Sequence, residues 1–149
     1  MQDNFVFYFQ HHLTKLKAEL EKYPSDEGLW KMAPGINNCA GNLCHHLLGN
    51  LNHYIGHALG DTGYVRNRPE EFGIKDVPRA DYYKWIAETH EMLGTVITNI
   101  QDLSAPYPDG IFPRKGNVHY ILLQMLTHVD YHLGQINYHR RMLFPETNV

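Results

Sequence analysis

Histidine is the residue type in this chain that is best suited to chemistry, because eleven histidines occur among its 149 residues and several share a helix face. At about 100° per residue, helical positions four and seven apart point in nearly the same direction. Two polar stripes follow from that spacing. The first consists of His46, Asn50, His53 and His57, and the second of His128, His132, Gln135 and His139.

Each stripe contains histidines four residues apart, which places two imidazoles one helical turn from each other. Such a pair can bind one metal ion at about 2.0–2.1 Å per nitrogen, and a third histidine from a neighbouring helix leaves positions for water or substrate. The pairs His53/His57 and His128/His132 have the same spacing, so periodicity alone does not choose between them. Neutral imidazole suits zinc, nickel, iron and copper, so the ligand type does not choose the metal.

Three other catalytic patterns are missing from the sequence. A ferritin-like di-iron site needs Glu-x-x-His on two helices, and no glutamate here has a histidine three positions later. The His-Glu-x-x-His pattern of zinc peptidases and the Gly-x-Ser-x-Gly nucleophile elbow are also absent. These absences leave a histidine-rich metal site as the favoured chemistry.

Hydrophobic periodicity and turn residues predict four helices that carry these side chains. They cover residues 4–22, a stretch from a cap at Asn37 or Asn38 to about residue 59, residues 79–103, and a stretch from a cap at Asn117 to about residue 143. We expect residues 60–78 to be an irregular connection, because Pro and Gly interrupt them.

Four helices of this length in one chain predict an all-α fold, a four-helix bundle that forms a single domain over residues 1–149. The connection between the second and third helices is the longest. A long crossover permits these two middle helices to run parallel, and the second and fourth would then be antiparallel.

The composition argues against several function classes. The net charge is −3 and no long basic run occurs, so we expect no nucleic-acid partner and no anionic membrane surface. No apolar stretch approaches the roughly 20 residues that span a bilayer. Cys39 and Cys44 are too badly placed on a helix to bridge, which favours free thiols in a reducing compartment. A cytoplasmic protein is the expectation.

Three segments resemble motifs of the DinB-like superfamily. LCHHLLGN at 43–50 is similar to its second-helix motif, and HVDYHLGQI at 128–136 is similar to its last-helix signature. RNRPEEF at 66–72 resembles a segment found in one branch. The three occur in the expected order, and the resemblance covers nearly the whole chain.

The resemblance implies an up-down-down-up four-helix bundle, often a homodimer, with three histidines that bind nickel, zinc or a similar divalent ion such as iron. Those histidines map to His46, His128 and His132. The His-Leu-x-Gly-Asn register and the helix face both favour His46 over the adjacent His45.

Some members of the superfamily are thiol S-transferases that use bacillithiol, mycothiol or glutathione. The first hypothesis is therefore a metal-dependent transferase that joins a low-molecular-weight thiol to an electrophilic small molecule. A metal-binding, stress-associated protein without turnover is the second. Metal-assisted hydrolysis by a bound water is the third, and it needs a base that the sequence does not identify.

Several other polar residues lie near the predicted site. His53, His57 and His139 have open roles, and we expect Asn50 and Gln135 to be hydrogen-bonding partners that orient imidazoles. We interpret Asp130 as a surface charge and Glu70 and Glu71 as solvated loop carboxylates. Arg66 and Arg68 are either ordinary loop residues or anion-binding side chains. Tyr131 and Tyr138 are interpreted as packing or dimer-surface residues.

Overall fold

The computed structural model describes residues 1–148, and this part of the chain is helical. Five helical elements form its framework. They are α1 (Gln2–Glu21), α2 (Ala40–Leu51), α3 (Arg68–Gly73), α4 (Arg79–Thr98) and α5 (Val118–Leu143). Beyond α2 the chain continues through a π-helical segment, Asn52–His57, and a last helical turn, Ala58–Gly60. We call Asn52–His57 the π-turn.

The four long predicted helices are all present, with differences at their ends. The cap predicted at Asn117 is confirmed, because its Oδ1 accepts a hydrogen bond from the Tyr120 N–H at 2.8 Å. The cap predicted at Asn37 or Asn38 is wrong. The N-cap position is Cys39, whose backbone is extended and whose buried thiol donates to Asn42 Oδ1 at 2.9 Å, and α2 begins only after it.

The helix predicted over residues 79–103 ends earlier, at Thr98. Asn99 follows it, and its side-chain Nδ2 donates to the Thr95 carbonyl at 2.9 Å. Asparagine side chains compete with helical backbone hydrogen bonds in this way, which is a local reason for the helix to stop.

The connection over residues 60–78 is only partly irregular, because α3 lies within it. Asn67 caps α3 by accepting from the Glu70 N–H, and Pro69 occupies an early helical position, where a missing N–H is harmless. The Asn42 side chain donates to the carbonyls of Glu71 at 3.2 Å and Ile74 at 3.0 Å. These bonds dock α3 against α2.

Pairs of contacts give the directions of neighbouring helices. On α1, Gln2 contacts the Ile100 carbonyl and Gln10 contacts that of His90, so α1 and the α4 region are antiparallel. Phe5 meets His119 and Glu19 meets Arg140, so α1 and α5 are parallel.

The second helix packs against both α4 and α5. The Tyr82 hydroxyl donates to the Gly41 carbonyl, and Asn52 donates to the Thr89 hydroxyl, which makes α2 and α4 parallel. His46 lies beside His132 and Asn50 beside His128, so α2 and α5 are antiparallel. The up-down-down-up order stays a prediction, and these pairings support it.

A shared apolar core fills the space between the long helices. Each contributes fully buried side chains at helical spacing, including Phe9, Leu13, Leu16, Leu20, Leu47, Leu51, Leu93, Ile97, Ile121 and Ile136. Burial of each such side chain contributes about 1.5–3 kcal/mol. Among residues 1–148, no helix combines the length and apolar character that crossing a membrane requires.

Replacing Gly41 with alanine should destabilise this core, because the added Cβ would lie 2.7 to 2.8 Å from atoms of the Trp30 ring. We expect a loss of about 1–3 kcal/mol in the free energy of unfolding, as at other overpacked sites. Urea unfolding followed by circular dichroism measures this loss.

Gly134→Ala is the matched control, because a Cβ at this exposed position in α5 meets nothing within 4 Å. We expect it to stabilise the helix by up to about 1 kcal/mol through helix propensity. Equal stabilities for the two variants would contradict the close packing of Trp30 on Gly41.

Candidate metal centre

Three histidines from two helices come together in the middle of the bundle. His46 lies on α2, and His128 and His132 lie one turn apart on α5. One ring nitrogen of each lies within 4.8 Å of one nitrogen of each of the others. Among residues 1–148, these three form the one group of at least three histidine, cysteine or acidic side chains whose ligand atoms are close enough to share a metal ion.

The spacing of two nitrogens in this trio matches that of metal ligands. His46 Nε2 and His128 Nε2 are 3.1 Å apart. Two nitrogens held about 2.0–2.1 Å from one ion, at the angles of tetrahedral or octahedral coordination, lie about 2.8–3.4 Å apart. These two rings are therefore already positioned for one ion.

The outer ring nitrogens of two histidines are held by hydrogen bonds. His46 Nδ1 lies 2.8 Å from Glu71 Oε2, and His132 Nδ1 lies 2.6 Å from Gln135 Oε1. Because both partner oxygens accept, each Nδ1 is positioned to donate, which leaves Nε2 as the nitrogen available to a metal ion. Metal-binding histidines in proteins are oriented by the same kind of contact. The expected orienting role of Gln135 thus has a direct geometric basis.

Glu71 is buried, so its interpretation as a solvated loop charge is wrong. Arg66 donates to its two carboxylate oxygens, from Nε at 2.6 Å and Nη2 at 2.9 Å. Burial opposes ionisation, but hydrogen bonds from Arg66 and His46 outweigh it and hold the pKa of Glu71 below its ordinary value. The carboxylate is therefore ionised at neutral pH.

Gly49 makes room for this carboxylate. A Cβ at position 49 would collide with Glu71 Oε1, so a side chain there would push the carboxylate away from His46. The need for glycine in the Leu-Leu-Gly-Asn segment thus comes from close packing by α3. The sequence left two roles open for Arg66, an ordinary loop residue or an anion-binding residue. In the structure its guanidinium binds the Glu71 carboxylate.

Two rings of the trio, those of His128 and His132, favour the neutral form. Burial, together with the neighbouring His132, His46 and Arg66, lowers the pKa of His128 to about 4. Burial also lowers the pKa of His132, although its bond to Gln135 acts in the opposite direction. Neutral imidazole is the form that binds a metal ion, so this donor set suits a divalent cation.

An open cleft of about 480 Å³ lies beside His46 and His128. Polar and aromatic side chains form much of its wall, among them Tyr54, Arg66, Arg68, Phe112, Gln124, Thr127 and Tyr131. The trio is thus accessible from one side, as a reactive metal site requires and a closed structural one does not.

The rival pair His53/His57 lies apart from the trio. Both residues fall in the π-turn, where i→i+5 hydrogen bonding makes α-helical spacing a poor guide to direction. Their rings stack on each other with centroids 5.7 Å apart. The structure therefore groups His128 and His132, and not His53 and His57, with His46.

Other candidates also lie elsewhere. His139 bonds the Lys31 carbonyl and the Tyr23 hydroxyl, both at 2.8 Å, and His45 packs against the rings of Tyr82 and Trp85. Asp130 is exposed, as expected, and lies 3.2 Å from His12 Nε2.

Replacing Glu71 with glutamine should weaken divalent-ion binding by about 10–100-fold, the usual effect of losing an orienting carboxylate. It also leaves the Arg66 guanidinium without its anionic partner. Calorimetric titration of chelator-treated protein with Zn²⁺ measures the affinity. Glu70→Gln is the control, since Glu70 is exposed and bonds Asn67. Equal affinities in the two variants would exclude a role for Glu71.

Comparison with known proteins agrees with this geometry. The family model of the DinB superfamily matches residues 8–136, a range that includes all three motif segments and the histidine trio. No curated protein and no solved structure matches the chain. Because the family match covers most of the sequence, this chain belongs to the DinB superfamily.

Proposed function

We propose that this protein is a metal-dependent transferase that joins a low-molecular-weight thiol, of the bacillithiol kind, to an electrophilic small molecule. The proposed ligands are His46, His128 and His132, on an up-down-down-up bundle. The observation that carries this proposal is a trio of imidazoles, two of which line an open cleft, with the outer nitrogens of His46 and His132 held by Glu71 and Gln135.

A thiol is a better nucleophile for this site than water. A divalent ion lowers the pKa of a thiol from about 8.5, or of a water molecule, so that the deprotonated form exists at neutral pH. Hydrolysis additionally calls for a base. The carboxylate nearest the trio, Glu71, already accepts from His46 and Arg66, which leaves it poorly placed to take a proton from water.

The cleft supports binding of an anionic cofactor. Arg68 lies in its wall, and the Arg66 guanidinium also reaches the Tyr54 hydroxyl at 3.3 Å. Bacillithiol and glutathione carry carboxylates, and guanidinium groups bind carboxylates well. We assign the anionic end of the thiol to Arg68 and its sulfur to the trio.

The identity of the metal, the cellular location and the oligomeric state are also part of the proposal. We propose Ni²⁺ or Zn²⁺ as the ion, with Fe²⁺ as the third candidate, since imidazole suits all three. We also propose a cytoplasmic homodimer. The two free, buried cysteines support the cytoplasmic location. The dimer is supported by a face of α5 with exposed apolar side chains, Leu123, Tyr131, Tyr138 and Met142.

Alanine at His46, His128 or His132 should each abolish stoichiometric metal binding. Each change removes a proposed ligand, so we expect an affinity loss beyond the roughly 100-fold limit of outer-contact changes. Elemental analysis of protein purified without chelators, followed by Zn²⁺ titration, measures the loss. His53→Ala and His57→Ala are the controls and should bind one ion like the unmodified protein. Retention of the ion by all three ligand variants would overturn the site.

Metal-loaded protein should accelerate conjugation of bacillithiol to monochlorobimane, a reaction that is followed by fluorescence. His132→Ala is the matched control, because it lacks one ligand. Mycothiol, glutathione and cysteine are tested in parallel. No rate above the control with any thiol would exclude the transferase, and retained metal binding in that case would point to a protein without turnover.

A further inference from the structure

The cleft beside the trio has an aromatic corner, which is formed by Tyr54 and Phe112. The centroids of these two rings are 5.1 Å apart, and the ring planes meet at 75°. Both residues line the same cleft as His46 and His128. A molecule that fills this cleft can therefore contact an aromatic ring and a proposed metal ligand together.

Contacts outside the cleft hold the aromatic corner together. Tyr107 is buried, and its hydroxyl donates to the Tyr54 carbonyl at 2.8 Å while its ring meets the Phe112 ring edge-on. The Tyr107 N–H donates to the Gly116 carbonyl at 2.9 Å, which closes the loop that contains Phe112. The Phe112 ring is thus packed onto the π-turn, although it belongs to an irregular loop.

The side chains that line the cleft are of two chemical kinds. Arg68, Gln124 and Thr127 offer charge and hydrogen bonds, which suit the carboxylate and amide groups of a thiol cofactor. Phe112 and Pro113 have no polar side-chain atom. An aromatic ring attracts a second ring that is stacked on it or meets it edge-on, with centroids about 4.5–7 Å apart. The aromatic corner therefore suits a planar, apolar molecule better than it suits the thiol.

Phe112 is the ring that we expect to contribute most to binding. The Arg66 guanidinium already lies over the Tyr54 ring, with its Cζ 5.5 Å from the ring centroid. Arg66 is held in that place by its two hydrogen bonds to Glu71. Phe112 is only partly buried, so part of its ring remains open to a molecule in the cleft.

We propose that the aromatic corner binds the electrophilic substrate, and that this substrate is planar and aromatic. The inference rests on the proposed transferase, since it specifies the second reactant. In the reaction a carbon–sulfur bond forms while the bond from that carbon to its leaving group breaks. The leaving group departs with the electron pair, and the thiol proton passes to solvent. Phe112 takes part by binding alone.

A bimane without a leaving group separates binding from reaction. Equilibrium dialysis against tetramethyl-syn-bimane, which is monochlorobimane without its chlorine, gives a dissociation constant in the absence of turnover. Phe112→Leu keeps an apolar side chain and removes the ring, so we expect about two- to tenfold weaker binding, the usual range for one ring–ring contact. Phe7→Leu is the matched control and should bind like the unmodified protein, because Phe7 is exposed on α1 and stacks on His11.

Phe112→Trp tests whether the ring itself is responsible. This variant keeps an aromatic side chain, so it should retain the binding that Phe112→Leu loses, and thermal melts followed by circular dichroism verify that both variants fold. Equal affinity of Phe112→Leu and the unmodified protein for the bimane would overturn the aromatic corner. So would a lack of bimane binding by the unmodified protein.

The choice of electrophile gives a second measurement. Chloroacetamide is a small aliphatic electrophile that loses chloride, as monochlorobimane does. With one thiol, the ratio of kcat/KM for monochlorobimane to that for chloroacetamide should fall about two- to tenfold in Phe112→Leu. An unchanged ratio would show that the ring does not select the substrate.

The outcomes separate this inference from the proposed reaction. If the bimane binds through Phe112 but no thiol is transferred, the transferase is wrong, and the aromatic corner stands as a binding site for planar aromatic molecules. If transfer occurs and Phe112→Leu binds and reacts with monochlorobimane like the unmodified protein, the transferase stands and the aromatic corner is wrong.

Discussion

The buried charge of Glu71 sets conditions that the rest of the site has to meet. Removing a carboxylate from water costs several kcal/mol unless charged and hydrogen-bonding partners surround it. Arg66 and His46 supply those partners, and they come from different parts of the chain. The segment from Arg66 to Glu71 therefore has to fold onto α2, and α2 needs a residue without a side chain at Gly49.

The candidate metal site is divided between a scaffold of long helices and one docked segment. α2 and α5 supply the three imidazoles, while α1 and α4 pack behind them and contribute apolar side chains to the core. The segment that contains α3 supplies no member of the trio, yet its carboxylate orients one ring. The site thus combines three side chains from long helices with one orienting hydrogen bond from the segment that joins α2 to α4.

Helical periodicity was sufficient for the four long helices and for the faces of His46, His128 and His132. The choice of that trio over His53 and His57 needed the family motifs, because both pairs have identical spacing. The π-turn that contains His53 and His57 leaves no clear mark in residue type. The role of Glu71 depends on contacts between distant segments, and a glutamate in a polar loop carries no local signal of burial.

The π-turn has a consequence for how this chain tolerates insertions and deletions. A π-helical turn contains one residue more than an α-helical turn with the same end points. It therefore separates the register of His46 and Asn50 from that of the last turn of the helix, where Gly60 meets Val96. Length changes within Asn52–His57 would alter the packing on α4 and leave His46, which lies upstream on α2, in place. The parts of the second helix before and after the π-turn thus face their neighbours in registers that are independent of each other.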